Sequence, residues 1–186
     1  MNKNFLSSLQ ICIQKLNQNE VIAYPTESVF GLGCNPDSEV AVKKLLFIKN
    51  RTINKGFILV SYHYNQLIPY IIEKKILQKK HLLLNKKQFL TYLVPAHSKV
   101  PIWLTGNSKL IAVRITQHKL IKNLCFYFNK PIISTSANIS GEKPCETITQ
   151  VKKIFGQDFP ILNGFLGNKK KPSKIINLLT GEVIRA

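Results

Sequence analysis

The loop 49–56 is the first of several polar segments that lie beside predicted strands and whose side chains suit an anionic ligand. It carries the cations Lys49, Arg51 and Lys55 between a predicted helix and a predicted strand. An arginine fork and ammonium groups can each pair with phosphate oxygens, so this loop could hold a polyphosphate. Cations at the C-terminus of a helix also complement the helix dipole without any ligand, and the sequence alone leaves that structural role open.

A second segment, residues 134–141, directly follows the apolar pair Ile132–Ile133 and carries four hydroxyl groups. Hydroxyls such as those of Ser134 and Ser136 can donate to anionic oxygens, and the small side chains let a ligand approach the backbone. The amide of Asn138 adds both a donor and an acceptor at the same place. We expect a ligand site here, although a turn that caps itself would use the same residue types.

Two further features point to a polar ligand. In residues 24–28, Thr26 follows a strand exit that Pro25 stiffens, and its hydroxyl could serve either a ligand or a capping turn. Arg114 lies inside the apolar run Leu110–Ile115, where a charge must be paired or face a cleft. This arginine is therefore either half of a structural salt bridge or a clamp for a carboxylate.

The sequence signatures of several common site classes are missing from the chain. It contains neither a P-loop nor a G-x-G-x-x-G fingerprint, and neither G-x-S-x-G nor H-E-x-x-H. The four histidines are scattered, so the sequence predicts no acid–base dyad. The four cysteines form no C-x-x-C pair, and we expect them to be buried and reduced.

Apolar periodicity and turn residues predict the elements that must position these segments. The predicted helices cover 5–17, 38–49, 64–84, 118–128 and 147–155. The predicted strands cover 21–24, 57–60, 89–94, 110–115, the surroundings of 132–133 and a terminal pair within 174–185, with a glycine-broken segment at 30–33. Strands that alternate with helices predict an α/β fold with a twisted mixed sheet flanked by helices. A chain of 186 residues is expected to form a single domain, 1–186.

The composition adds a strong positive charge. There are 27 Lys and Arg residues against 9 Asp and Glu, which gives a net charge of +18 and a field that attracts polyanions such as RNA. Only three of the cations are arginine, and an excess of lysine also arises by drift in an AT-rich genome, so both explanations stay open. No long apolar run and no secretory leader is visible, and we therefore expect a cytoplasmic protein without a membrane span.

Taken together, these segments resemble the YrdC/TsaC family of threonylcarbamoyl-AMP synthases over essentially the whole chain. The matching stretches are 21–27, 29–34, Lys49-x-Arg51, Lys55–Gly56, 103–106, Val113–Arg114, 134–141, Pro172–Ser173 and 179–182. One such motif would be weak, but their order and spacing together are specific. The length matches the short, single-domain bacterial form of the family.

The resemblance implies a fold, a reaction and its partners. The fold is a YrdC-like twisted mixed sheet with helices around a concave basic cavity. In the reaction, L-threonine and bicarbonate give a carbamate that attacks the α-phosphate of ATP and expels pyrophosphate, with Mg²⁺ carried by the ATP phosphates and no metal bound by the protein itself. A downstream threonylcarbamoyl-transferase complex then modifies an adenosine in the anticodon loop of tRNAs that read codons beginning with A. Weak direct binding of tRNA is a further expectation.

The resemblance also implies which residues form the site. The residues implied for ATP binding are Lys49, Arg51, Lys55, Ser136 and Asn138, and all of these except Lys55 are also implied as catalytic. The residues implied for threonine binding are Thr26, Arg114, Ser134 and Ser173. Arg114 is expected to grip the carboxylate. The lack of a side-chain nucleophile agrees with in-line phosphoryl transfer, which depends on positioning and charge neutralisation.

Two positions depart from the family pattern, and two other classes of protein stay open. The usual Trp-Pro-Gly-Pro turn corresponds here to residues 86–89, and the proline that follows Lys-x-Arg is Thr52. These changes put the efficiency of the enzyme in doubt more than the type of reaction. An RNA-binding module without catalysis would explain the +18 charge. A carbamoyl-transfer domain from hydrogenase maturation shares the fold but normally lies within a much larger chain.

Overall fold

The computed structural model describes residues 3–85 and 89–186, without the side chains of residues 3 and 4. Eight strands of the described chain form one sheet: β1 (Ile22–Pro25), β2 (Phe30–Gly33), β3 (Ile58–Ser61), β4 (Leu90–Pro95), β5 (Leu110–Ile115), β6 (Ile132–Ser136), β7 (Lys174–Asn177) and β8 (Val183–Arg185). The α-helices of the same residues are α1 (Lys3–Asn17), α2 (Glu39–Lys49), α3 (Lys80–Leu84), α4 (Ile102–Thr105), α5 (Lys119–Phe128) and α6 (Ile148–Phe155).

The strands lie in the order β1-β2-β6-β3-β5-β4-β7-β8. β3 pairs with β5 and β4 with β7 in parallel, and the remaining neighbours are antiparallel, so the predicted mixed sheet is confirmed. Val60 of β3 pairs with Arg114, and Ile58 of the same strand pairs with Ser134. Because Ile58 and Val60 are two residues apart on one strand, Arg114 and Ser134 lie on the same face of the sheet.

Apolar side chains cover both faces of the sheet. On the face that carries Val60, the buried side chain of Tyr24 belongs to a cluster with residues of α1 and α5 such as Leu16 and Leu124. On the opposite face, Leu59 belongs to a second cluster that includes the apolar side of α2. All four cysteines are buried free thiols, as predicted.

The two ends of α2 explain how the cationic loop begins. Ser38 caps the N-terminus, because its hydroxyl accepts a hydrogen bond from the Ala41 amide at 3.2 Å. At the C-terminus, Asn50 adopts the left-handed conformation with φ 47° and ends the helix. Asparagine tolerates this conformation better than most residues, so the chain turns sharply between Lys49 and Arg51.

The predicted helix over 64–84 is wrong for most of its length. Consecutive short 3-10 turns replace it, and only its final part, α3, is α-helical. Pro69 has no amide hydrogen and restricts the residue before it, which interrupts a regular helix. Farther along, the Ile72 amide donates to the backbone oxygen of Pro95 at 2.9 Å. The backbone around Tyr70–Ile72 therefore pairs with the end of β4, while the rest of the stretch bonds within its 3-10 turns.

The other predicted helices and strands are confirmed, with shifts of about one or two residues at their ends. The segment 30–33 is strand β2, not a break in the structure. Its glycines are needed there because a Cβ atom on Gly33 would lie 2.4 Å from the backbone oxygen of Ile133 and 2.8 Å from the Tyr24 ring. The short helix α4 was not predicted.

Residues 86–88, which form most of the segment that departs from the family pattern, lie outside the described residues. Within residues 3–85 and 89–186, each helix is too short or too polar to cross a membrane.

Candidate functional site

The ammonium group of Lys49 joins the end of α2 to the exit of β6. Its Nζ donates hydrogen bonds to the backbone oxygens of Ser136 at 2.6 Å and Asn138 at 2.8 Å, and to the side-chain oxygen of Asn138 at 3.3 Å. The amide of Ser140 donates back to the Lys49 carbonyl at 2.8 Å. Two segments that the sequence singled out separately are therefore held together by one buried cation.

The charge of Lys49 is sensitive to pH. Burial and, to a smaller extent, the nearby Arg51 guanidinium lower the pKa of Lys49 to about 8, while Cys145 acts in the opposite direction. Three oxygen acceptors use all three ammonium hydrogens, and they favour the charged form. A phosphate that approaches Lys49 would have to replace one of these oxygens.

The Asn138 side chain is fixed on both of its ends. Its Oδ1 accepts from the Ser136 hydroxyl as well as from Lys49. Its Nδ2 donates to the backbone oxygens of Ile139 at 2.8 Å and Glu142 at 2.9 Å. These bonds organise the loop after β6, so the self-capping turn that the sequence left open is present. The same loop also contacts the cation Lys49, so the turn does not exclude a ligand site.

Arg51 is half-buried and reaches back across its own loop. Its Nη2 donates to the backbone oxygen of Gly56 at 2.7 Å, and its Nη1 lies 3.4 Å from the Thr135 hydroxyl. The guanidinium carbon sits 4.6 Å from the centre of the Phe57 ring. Burial lowers the pKa of Arg51, and among the described residues its Nε has no hydrogen-bond partner. Part of this fork thus has an N–H that can donate to an anionic oxygen.

The end of α4 braces the cationic loop. Gly106 has φ 61°, and a Cβ atom there would lie 2.3 Å from the backbone oxygen of Asn54. Next to it, the Phe57 amide donates to the Leu104 oxygen at 3.1 Å. The segment 103–106, one of the stretches that resemble the family, therefore helps to fix the position of the cationic loop. Lys55 lies on the braced loop with an exposed side chain.

A second polar cluster surrounds Arg114. Its Nη2 lies 3.4 Å from Oε2 of Glu27, and both side chains are nearly buried, at 8% and 12% exposure. The Glu27 Oε1 accepts a hydrogen bond from the Thr116 hydroxyl at 2.7 Å. The Phe89 ring lies over the guanidinium at 4.9 Å. The salt bridge considered from the sequence is therefore present, and its acidic partner is Glu27.

Ser173 lies within reach of this cluster through a buried hydroxyl pair. Its hydroxyl oxygen is 2.7 Å from that of Thr91, and its backbone oxygen accepts from Arg185 Nη2 at 2.7 Å. Burial lowers the pKa of Arg185, and the Arg114 guanidinium lowers it further, so the two arginines are near each other. Ser173 and Arg114 are thereby brought to one region, although 59 residues separate them in the chain.

The remaining two predicted residues are placed beside the same cluster. Thr26 precedes Glu27 in the chain, and its hydroxyl donates to the Val29 oxygen at 2.7 Å and accepts from the Ser28 amide at 3.3 Å. It therefore closes the turn between β1 and β2 and does not cap a helix. Ser134 is buried on the sheet face that carries Arg114. Burial raises the pKa of Tyr24, and a hydrogen bond with Ser134 acts in the opposite direction.

Sequence reasoning missed several members of the second cluster: Glu27, Phe89, Thr91, Thr116, His118 and Arg185. The clearest available signal was Glu27, a carboxylate directly after a buried strand in a chain with only 9 acidic residues. His118 was dismissed because the histidines are scattered in sequence. The concave basic cavity implied by the resemblance stays a prediction.

Comparison with known proteins gives consistent results. The Sua5/YciO/YrdC family model, described as telomere recombination, matches residues 14–186. The chain is 54% identical over 183 residues to the threonylcarbamoyl-AMP synthase of Buchnera aphidicola subsp. Schizaphis graminum, with coverage of 97% of this chain and 96% of that protein. It is 44% identical over 188 residues to the protein of the same name from Escherichia coli O9:H4 (strain HS), covering 100% and 99%.

A solved structure is also similar. The crystal structure of P. abyssi Sua5 complexed with L-threonine superposes with a TM-score of 0.81 at 27% identity and covers 91% of this chain. The present chain spans 50% of the length of that protein.

Proposed function

Because the chain belongs to the Sua5/YciO/YrdC family, we propose that it synthesises L-threonylcarbamoyladenylate from L-threonine, bicarbonate and ATP, with release of pyrophosphate. Relatives that it matches over nearly its whole length carry the name threonylcarbamoyl-AMP synthase. The structural observation that carries the proposal is the convergence of Lys49 with Ser136 and Asn138, near which the fork of Arg51 also lies.

The first cluster, which comprises Lys49, Arg51, Ser136 and Asn138, binds the nucleotide, which enters as its Mg²⁺ complex. Arg51 offers its free Nε to a phosphate oxygen, and the exposed Lys55 adds a second cation on the same loop. Lys49 exchanges one of its carbonyl partners for a phosphate oxygen and keeps the others, so that it neutralises charge while it holds Ser136 and Asn138 in place. The Ser136 hydroxyl and the Asn138 amide complete the nucleotide site.

The second cluster binds threonine. The guanidinium of Arg114 pairs with the α-carboxylate, and the hydroxyls of Thr26, Ser134 and Ser173 line the same region. When threonine has reacted with bicarbonate, the carbamate oxygen attacks the α-phosphate in line with the departing pyrophosphate. The protein contributes position and positive charge, which is what this type of transfer requires.

The adenylate product then supplies a threonylcarbamoyl-transferase complex that modifies tRNA in the cytoplasm. A mixed anhydride of this kind hydrolyses readily, and a buried site protects it until it is handed on. The lysine-rich surface gives weak, salt-dependent attraction to tRNA, in line with the net charge of +18.

A product assay tests the proposal. The purified protein is incubated with MgATP, L-threonine and labelled bicarbonate, and pyrophosphate is measured together with the adenylate by mass spectrometry. Pyrophosphate should appear only when threonine and bicarbonate are both present, and the label should appear in the adenylate. Pyrophosphate release that does not depend on threonine would refute the proposal, and salt-dependent RNA binding without any product would favour a pure binding module.

A further inference from the structure

The ion pair between Arg114 and Glu27 leaves hydrogen-bonding capacity unused on both side chains. Buried arginine–carboxylate pairs kept for stability alone often form two parallel hydrogen bonds. Here a single contact of 3.4 Å joins Nη2 to Oε2. Among the described residues, neither Oε2 of Glu27 nor Nε of Arg114 has a hydrogen-bond partner, although both atoms are buried. Buried polar atoms without partners are rare in folded proteins and call for an explanation.

The Glu27 side chain is held so that Oε2 remains the open atom. Its other oxygen, Oε1, is occupied by the Thr116 hydroxyl at 2.7 Å. Its backbone oxygen accepts from the Lys169 amide at 2.8 Å, and a Cβ atom on Gly167 would lie 2.8 Å from its Cα. The backbone and one carboxylate oxygen are therefore fixed, and Oε2 is the carboxylate oxygen that lacks a hydrogen-bond partner among the described residues.

A third unsatisfied atom lies nearby, on His118. Its Nδ1 is buried and has no hydrogen-bond partner within the described part of the chain. The Glu27 carboxylate raises the pKa of His118 and the Arg114 guanidinium lowers it, so both charges are close to the imidazole. Burial makes the largest contribution and lowers the pKa overall, which favours the neutral ring. A neutral ring can present Nδ1 as an acceptor.

The charges and the donor or acceptor character of these unpaired groups indicate what kind of ligand would fit them. One cationic donor, on Arg114, lies beside the acceptor Oε2 of Glu27, and the His118 imidazole is close enough to feel both charges. A lone carboxylate or phosphate would satisfy Arg114 but would be repelled by Glu27. A simple amine would satisfy Glu27 but would be repelled by Arg114. A zwitterion with adjacent opposite charges, as in an α-amino acid, satisfies both.

We therefore propose that Glu27 Oε2 accepts a hydrogen bond from the α-amino nitrogen of threonine while Arg114 holds its carboxylate. This inference deepens the proposed function and rests on it. The nitrogen of the carbamate retains one hydrogen, so the same bond persists after bicarbonate has reacted. Glu27 thus selects an amino acid over an amine-free acid and aims its nitrogen.

The test compares two ligands on two forms of the full chain. L-threonine and 3-hydroxybutanoate share a carboxylate and a hydroxyl, but only threonine has the amine. In Glu27→Gln, the affinity for threonine should fall by about 10- to 100-fold, as expected for a lost hydrogen bond to a charged group, while the affinity for 3-hydroxybutanoate should stay the same or rise, because the Glu27 charge no longer repels its carboxylate. Glu146→Gln, which changes an exposed acidic residue, should bind both ligands as the unmodified protein does.

The outcomes separate this inference from the proposed function. If Glu27 only supports Arg114, both ligands weaken equally in Glu27→Gln, which overturns the inference while threonine-dependent turnover of the unmodified protein leaves the function intact. If the unmodified protein binds no threonine, both proposals fail. Should Glu27→Gln not fold, the unmodified protein still decides: threonine should bind at least about tenfold more tightly than 3-hydroxybutanoate, and equal affinities would overturn the inference.

Discussion

The ammonium nitrogen of Lys49 lies 2.6 Å from the backbone oxygen of Ser136, although 87 residues separate the two in the chain. This contact makes the C-terminus of α2 and the exit of β6 parts of one structure. It is also a contact to the protein's own backbone, so Lys49 has a structural role in addition to the proposed role with phosphates. The two roles can be separated by experiment.

Substitution of Lys49 by methionine should lower both stability and activity. The backbone oxygens of Ser136 and Asn138 would lose their donor, and a buried group left unsatisfied typically costs about 1–3 kcal/mol. We expect the free energy of unfolding in urea to fall by about this amount, with loss of pyrophosphate release. Lys43→Met, on the exposed side of α2, is the matched control and should change neither. A Lys49→Met protein as stable as the unmodified one would show that these bonds contribute nothing.

The pH dependence of ATP binding should follow the charge of Lys49. Because burial lowers the pKa of this lysine to about 8, the ammonium is present below that pH and is lost above it. A positive charge favours the triphosphate, so the affinity for ATP should be highest below about pH 8 and should fall as pH rises through that value. Isothermal titration calorimetry with ATP between pH 6.5 and 9.5, roughly the range that brackets this pKa, measures the affinity at each pH. The same titration with Lys49→Met should be flat over this range, and a fall of equal size in that variant would assign the effect to another group.

Replacement of Arg51 by lysine tests the need for a guanidinium fork. Lysine keeps the charge but lacks the planar fork, in which Nη2 donates to Gly56 while Nε is held in a fixed direction for a phosphate oxygen. We expect kcat/KM for ATP to fall by about 100-fold, as for the loss of one preorganised donor. Near-normal kinetics would mean that charge alone suffices. Since Arg51 is half-buried and lies over the Phe57 ring, a small loss of thermal stability should accompany the change, more than an exposed loop cation would give.

Substitution of Gly106 by alanine tests the brace on the cationic loop. The new Cβ would lie 2.3 Å from the Asn54 oxygen in a left-handed backbone, so the loop must move. We expect the free energy of unfolding to fall by an amount on the order of 1–3 kcal/mol and the KM for ATP to rise, with threonine binding unchanged. Gly181→Ala is the matched control, because Gly181 has φ 79° but open space around it. The free energy of unfolding of that variant should fall by about 1 kcal/mol, and its KM for ATP should not change. A similar rise in KM for both variants would show that the brace is not specific.

Much of the fold could be predicted because local patterns decide it. The apolar stripes of α1, α2 and α5 and the short runs of β3, β5 and β6 are read directly from the sequence, and the ligand segments follow from strand exits. The stretch 64–84 could not be predicted in the same way. Its helical periodicity is real, but Pro69 and the bond from Ile72 to Pro95 override it.

The site was predictable in its parts but not in its pairings. Lys49 and Ser136 were both named from local chemistry, while their contact depends on the register of β6 beside β2 and β3. Glu27 and Arg114 are 87 residues apart in number, and nothing local indicates that a carboxylate faces that arginine. Likewise, Arg185 meets Ser173 only because β7 and β8 form the edge of the sheet.

The central claim is that the Lys49–Arg51 cluster and the Arg114 cluster are two halves of one site. A crystal structure with a non-hydrolysable ATP analogue, Mg²⁺ and L-threonine tests it most directly. The account predicts the triphosphate within hydrogen-bonding distance of Arg51 and Ser136, and the threonine carboxylate on Arg114 with its nitrogen toward Glu27. A nucleotide bound elsewhere, or threonine away from Arg114, would contradict the account.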